Sequence, residues 1–164
     1  MKDLQARCVA KMIEESAGNV SDIAHFLKVY AYASTIARLE ALDSAATEIL
    51  EIAAIVHDIA CPLCREKYGD TAGHHQEAES EALLRPFLKE FALEPVVENR
   101  IVDLVSHHHT YSGVDGMDYQ ILLEADFLVN AAEKGMEASE IRRFRDRVFR
   151  TGTGLRLLNS VFGL

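Results

Sequence analysis

Apolar residues recur at three- and four-residue intervals through most of the chain, and only three prolines and nine glycines interrupt them. That spacing is the mark of amphipathic helices, and sparse breakers mean few turns. It predicts helices over 2–17, 21–40, 44–59, 75–92, 95–108, 118–134 and 138–150, hence an all-α domain. Ser21 and Asp43 are placed as N-caps, and Pro95 in a first helical turn.

Two of these segments are apolar nearly all round. Ile49-Leu50-Glu51-Ile52-Ala53-Ala54-Ile55-Val56 runs into His57-Asp58-Ile59, and Ile121-Leu122-Leu123-Glu124-Ala125-Asp126-Phe127-Leu128-Val129 has the same character. A helix without a broad polar face belongs in the middle of a bundle. Its polar residues are then informative, because a buried carboxylate is costly unless paired, hydrogen-bonded or bound to metal. Asp58 and Asp126 both need partners, and neither helix offers a lysine or arginine close by.

With 164 residues, 49% of them hydrophobic and 26% charged, the chain suits one domain spanning 1–164. The net charge of −9 argues against polymeric nucleic acid and anionic membranes, while leaving room for a small anionic substrate received by a metal or local bases. No apolar run reaches the roughly 20 residues of a membrane span, and the first 17 residues lack an uninterrupted signal-peptide core. Three cysteines, Cys8, Cys61 and Cys64, fit a reducing compartment, so a cytoplasmic location is expected.

Seven histidines, at 25, 57, 74, 75, 107, 108 and 109, all fall in predicted helices or at their ends. A single histidine in an apolar helix is more often a hydrogen-bonded core residue than a ligand, so the weight lies in the joint pattern. His57 and Asp58 sit about 100° apart around a helix, which lets them share one ion if other helices complete the shell. Candidates to complete it are His25 and Asp126. Imidazole mixed with carboxylate suits iron, manganese and similar divalent ions, where a structural zinc site would be richer in thiolate.

The order His25, His57-Asp58, Asp126, set in the contexts His25-Phe26-Leu27-Lys28-Val29, Ala54-Ile55-Val56-His57-Asp58-Ile59 and Leu123-Glu124-Ala125-Asp126-Phe127-Leu128, resembles the H…HD…D signature of the HD-domain superfamily of metal-dependent phosphohydrolases. The resemblance spans about 21–134. It implies an HD-type helical bundle in which His25, His57, Asp58 and Asp126 bind one divalent metal (Fe, Mn, Co, Ni or Zn, with Mg admitted). It also implies hydrolysis of a nucleotide or other small phosphate ester. Asp58 would then orient the attacking water or take its proton, while His108 and His109 would neutralise charge on the phosphate. Lys28, on the same side of its helix as His25, is expected to touch that phosphate.

Many members of the superfamily hold a second metal. His108 is the candidate here because Val97, Ile101, Val105 and His108 share one helical stripe, from which His107 and His109 point away. For the remaining position, alignment on Ala78 selects His74 and alignment on Ser80 selects Gln76, so one ion and two both stay open. His74 and His75 are otherwise read as starting a helix or contacting substrate.

The stretch Ala60-Cys61-Pro62-Leu63-Cys64-Arg65-Glu66-Lys67-Tyr68-Gly69 is read as a loop leaving the metal site, with Arg65 and Lys67 as phosphate contacts and the two cysteines as buried or loop thiols. Six of the eleven arginines fall at 142, 143, 145, 147, 150 and 156; Ile141, Phe144 and Val148 form the apolar stripe there, which leaves most of the six on a solvated face, with a subunit contact or a lid over an anionic substrate as the other readings. Two other readings stay open beside the hydrolase: a non-catalytic module binding metal or nucleotide, and a di-iron oxygenase on the same fold. An oligomer is compatible with all three.

Overall fold

A computed structural model describes residues 3–164, which form nine α-helices and one 3₁₀ turn, with no strand among the described residues. The helices are α1 (Leu4–Glu15), α2 (Val20–Leu39), α3 (Ser44–Val56), α4 (Cys61–Tyr68), α5 (Gly73–Leu88), α6 (Pro95–His107), α7 (Met117–Glu133), α8 (Ala138–Val148) and α9 (Gly152–Phe162), with the 3₁₀ turn at Lys89–Phe91 between α5 and α6. The all-α expectation holds. Residue 2, where the first helix was predicted to start, lies outside the described residues.

The two all-apolar helices take the centre. α3 packs against α1, α2, α6 and α7, and α7 packs against α2 and α3 and carries α8 and α9 at its other side. From Leu50 to Val56 every residue of α3 is buried, and so is every residue of α7 from Ile121 to Val129. No helix among the described residues is long and apolar enough to cross a membrane.

Two caps follow the sequence and one does not. The Asp43 side chain accepts from the Ala46 amide at 2.9 Å, and Pro95 opens α6. Ser21 is not the cap of α2: Asn19 is, its side chain accepting from the Asp22 amide at 3.2 Å, which draws Val20 and Ser21 into the first turn. Two helices were not expected. α4 is eight residues, too short to show a periodicity. α9 begins Gly-Thr-Gly, which reads as a loop, but Thr151 caps it by accepting from the Gly154 amide at 2.8 Å. The arginine-rich stretch is α8 and its surroundings; Ile141 and Val148 are buried, and Arg142, Arg143, Arg147 and Arg150 are exposed as expected.

Candidate metal centre

Four elements bring their polar residues to one point. His25 lies on α2, His57 and Asp58 in the turn that ends α3, His108 at the end of α6, and Asp126 in the middle of α7. His25 Nε2 stands 3.2 Å from His57 Nε2, 3.3 Å from Asp126 Oδ1 and 3.3 Å from Asp58 Oδ2. His57 Nε2 is 3.3 Å from Asp126 Oδ1 and 3.5 Å from Asp58 Oδ2.

The hydrogen-bond network assigns the tautomers. The Nδ1–H of His57 donates to the Ala54 carbonyl at 2.8 Å, that of His108 to the Val105 carbonyl at 2.7 Å, and that of His25 to Glu133 Oε2 at 2.8 Å. Every one of these rings therefore turns an Nε2 lone pair inward. Two lone pairs facing each other at 3.2 Å between two carboxylates repel unless a cation lies between them. Ligands about 2.1 Å from an ion stand about 3.0 Å apart along an octahedral edge and about 3.4 Å along a tetrahedral one; four of the five observed separations fall in that range and the fifth, at 3.5 Å, lies just beyond it. Two carboxylates also balance one divalent charge. The residues thus fit a divalent metal.

Without that charge, protons take its place. Burial opposes charging His25, yet Asp126, Asp58 and Glu133 outweigh it and lift the ring to about 9. His57 is raised in the same way against its burial, by Asp58 and Asp126. Asp58 is lowered despite burial by His57 and His108, and Asp126 is held well below the usual carboxylate range by His25 and His57.

The remaining sequence candidates divide. His108 is buried, with Nε2 lacking any hydrogen-bond partner and 3.5 Å from Asp58 Oδ1. His109 does not point away as the helical stripe implied, because α6 ends at His107 and the chain turns there. Glu77 holds that turn by accepting from the His109 amide at 3.2 Å and from the Thr110 hydroxyl at 2.9 Å. The His109 ring lies on Gly73, where an added Cβ would come 2.7 Å from His109 Cβ. Donor atoms of Asp58, His108 and His109 lie within 4.8 Å of one another. Burial and the neighbouring His108 lower His109 to about 4, so near neutral pH it is a neutral ring and not the cation expected.

His74 is not brought to the centre: it is exposed, its ring against His75 at 4.0 Å. Gln76 is the residue that turns in, 4% exposed, because Ser80 one turn later packs fully buried and fixes the face of α5. Lys28 is half exposed, its Nζ 3.2 Å from Glu133 Oε1, so it meets the carboxylate behind His25 and does not line the cavity. Arg65 does line it, from a helix and not a loop, ion-paired with Asp22. Lys67 pairs with Glu79 on α5 and takes no part. Cys61 and Cys64 are buried free thiols, raised by desolvation.

Sequence reasoning passed over Glu133 and Asn130, whose amide donates to Asp126 Oδ1 at 2.8 Å. Asn130 stands four and Glu133 seven residues after Asp126, on its side of the helix, a spacing that points to both.

The HD-domain family model matches residues 22–142. The chain belongs to the HD-domain family. HD domains bind divalent metals, and the His/Asp cluster supplies the donors for one. A crystal structure described as a predicted HD superfamily hydrolase from an uncultured Thermotogales bacterium is similar in fold, with a TM-score of 0.67 and 23% identity over 97% of this chain and 83% of that one. No curated protein matches the chain.

Proposed function

We propose that this HD domain is a metal-dependent phosphohydrolase acting on a small phosphate ester. The observation that supports this most is the convergence of His25, His57, Asp58 and Asp126, with two imidazole lone pairs turned to one point. A divalent ion bound there polarises a phosphoryl oxygen and makes a water nucleophilic near neutral pH. The family placement, and the naming of its structural neighbour as a hydrolase, agree with that chemistry.

Asp58 is the one member of the quartet with substantial exposure, its side chain 24% accessible, and so it faces the cavity where substrate and water enter. One carboxylate oxygen turns toward His25 and His57; the other turns toward His108. That second oxygen is placed to orient the attacking water and receive its proton. His108 Nε2 stands 3.5 Å from that oxygen, its lone pair free to accept from the same water. His109, neutral, offers a hydrogen bond to the phosphoryl group. The buried carboxamide of Gln76 stands where a second-metal reading needs a histidine, which weakens the di-iron oxygenase alternative. The intact quartet weighs against a non-catalytic module.

The test is elemental analysis of protein purified without added metal, then phosphate release with Mn²⁺, Fe²⁺, Co²⁺ or Mg²⁺ restored. Stoichiometric metal and turnover, both lost in Asp58→Ala, are expected. Metal retained without hydrolysis of any phosphate ester would leave the site a sensor.

A further inference from the structure

We propose that the cavity over the metal centre takes a small, hydroxyl-rich phosphomonoester, of the size and polarity of a pentose phosphate, in preference to a nucleotide. This rests on the hydrolase reading above.

Three observations lead there. The first is size and lining. The cavity measures about 210 Å³, below the roughly 300–1,000 Å³ of pockets that enclose drug-sized ligands. Its wall beyond His25 and Asp58 is polar, from Ser21, Asp22, Thr71, Gln76, Asn130, Glu133 and Lys134, with Arg65, Cys61 and the His109 ring beside them. No Phe, Tyr or aliphatic side chain lines it. A nucleobase would find only the His109 ring to cover its faces, whereas sugar hydroxyls would meet hydrogen-bonding side chains along the rest of the wall.

The second is an orphaned acceptor. The Gln76 Nε2 donates to the Thr71 carbonyl at 2.8 Å, which fixes the orientation of the amide and leaves Oε1 pointing elsewhere. That oxygen is buried and has no partner. An acceptor needs a donor, and phosphate oxygens in their ionised form donate nothing. A ligand hydroxyl does.

The third is charge. Arg65 is engaged by Asp22, leaving Lys134, at the end of α7, as the cation lining the cavity with no ion pair among the described residues. One ammonium and one divalent ion suit a single phosphate; a triphosphate would bring charge that nothing there receives.

The experiment compares ribose 5-phosphate, adenosine 5′-monophosphate, a nucleoside triphosphate and p-nitrophenyl phosphate on the metal-loaded protein. The first two share the sugar ring and phosphate and differ at C1, where the base replaces a hydroxyl. Ribose 5-phosphate is expected to have a kcat/KM at least about tenfold above the others, and to raise Tm further than adenosine monophosphate at equal concentration. Gln76→Leu should then lower kcat/KM for ribose 5-phosphate about ten- to a hundredfold more than for p-nitrophenyl phosphate, with metal content unchanged. A nucleotide turned over faster overturns the proposal and keeps the hydrolase. Loss of metal in Gln76→Leu shows that Oε1 serves an ion, which removes the second observation's support. No hydrolysis of any of the four overturns the hydrolase reading itself.

Discussion

Two carboxylates on α7, Glu124 and Asp126, are both buried and only two residues apart, yet they do opposite work. Glu124 is wholly buried and surrounded by donors: the Gln120 amide at 2.7 Å, the Arg150 and Thr151 backbone amides at 2.7 and 3.0 Å, and the Thr151 hydroxyl at 2.5 Å. It ties the start of α9 to α7. Gly154 is glycine because a Cβ there would lie 1.9 Å from Glu124 Oε2. Asp126 has one amide donor, Asn130, and otherwise faces two imidazole lone pairs. A buried carboxylate saturated by donors holds architecture together; one set among other acceptors is arranged for a cation. Glu51 on α3 belongs to the first kind, taking Gln5, Ser34 and Arg38.

Asp126→Ala should give the largest functional effect. If Asp126 is a direct ligand, as proposed, metal affinity is expected to fall more than a hundredfold, beyond the roughly 10–100-fold typical of residues behind the ligands. Elemental analysis and titration with Co²⁺ check it; full metal occupancy in the variant would break the contrast. Glu124→Ala should spare the metal and cost stability. Leaving two buried amides and a hydroxyl unpaired costs about 3 kcal/mol, a drop in Tm of about 6–12 °C for a chain of this size. A variant that keeps its Tm but loses metal would reverse the assignment of the two residues.

The distinction between these carboxylates was only half legible in the sequence. The apolar surroundings marked residues near the ends and centres of α3 and α7 as buried, and the His-Asp pair with His25 and Asp126 came out of residue type and order. What periodicity could not supply was the partner set of each side chain, because Arg150 and Thr151 reach Glu124 from a turn with no periodicity at all. The same limit explains His109. A helical stripe turns it away, and the end of α6 turns it back, through contacts to Glu77 and Gly73 far off in sequence. His74 lost to Gln76 for a packing reason, the burial of Ser80, that spacing alone left undecided. Lys28 shares the face of His25 as expected, but Glu133 from the far end of α7 takes it.

The two residues behind His25 sharpen the comparison at smaller scale. Glu133 accepts the Nδ1–H of His25 and so leaves Nε2 free toward the His/Asp cluster, which would make it a positioning residue for the proposed ion. Glu133→Gln is isosteric and still bonds the ring but loses the negative charge that makes it a better ligand; metal affinity is expected to fall about tenfold, with a shifted Co²⁺ absorption band and Tm of the metal-free protein little changed. Lys28 touches only the second oxygen of Glu133 and is 54% exposed, so solvent screens it. Lys28→Ala should therefore change metal affinity less than about threefold, the scale of an exposed ion pair. The decisive quantity is KM. If Lys28 acts solely on Glu133, KM for a phosphate ester stays within about twofold of the parent protein; a rise of tenfold or more with unaltered metal affinity would mean that Lys28 leaves Glu133 when substrate arrives and meets the phosphate itself.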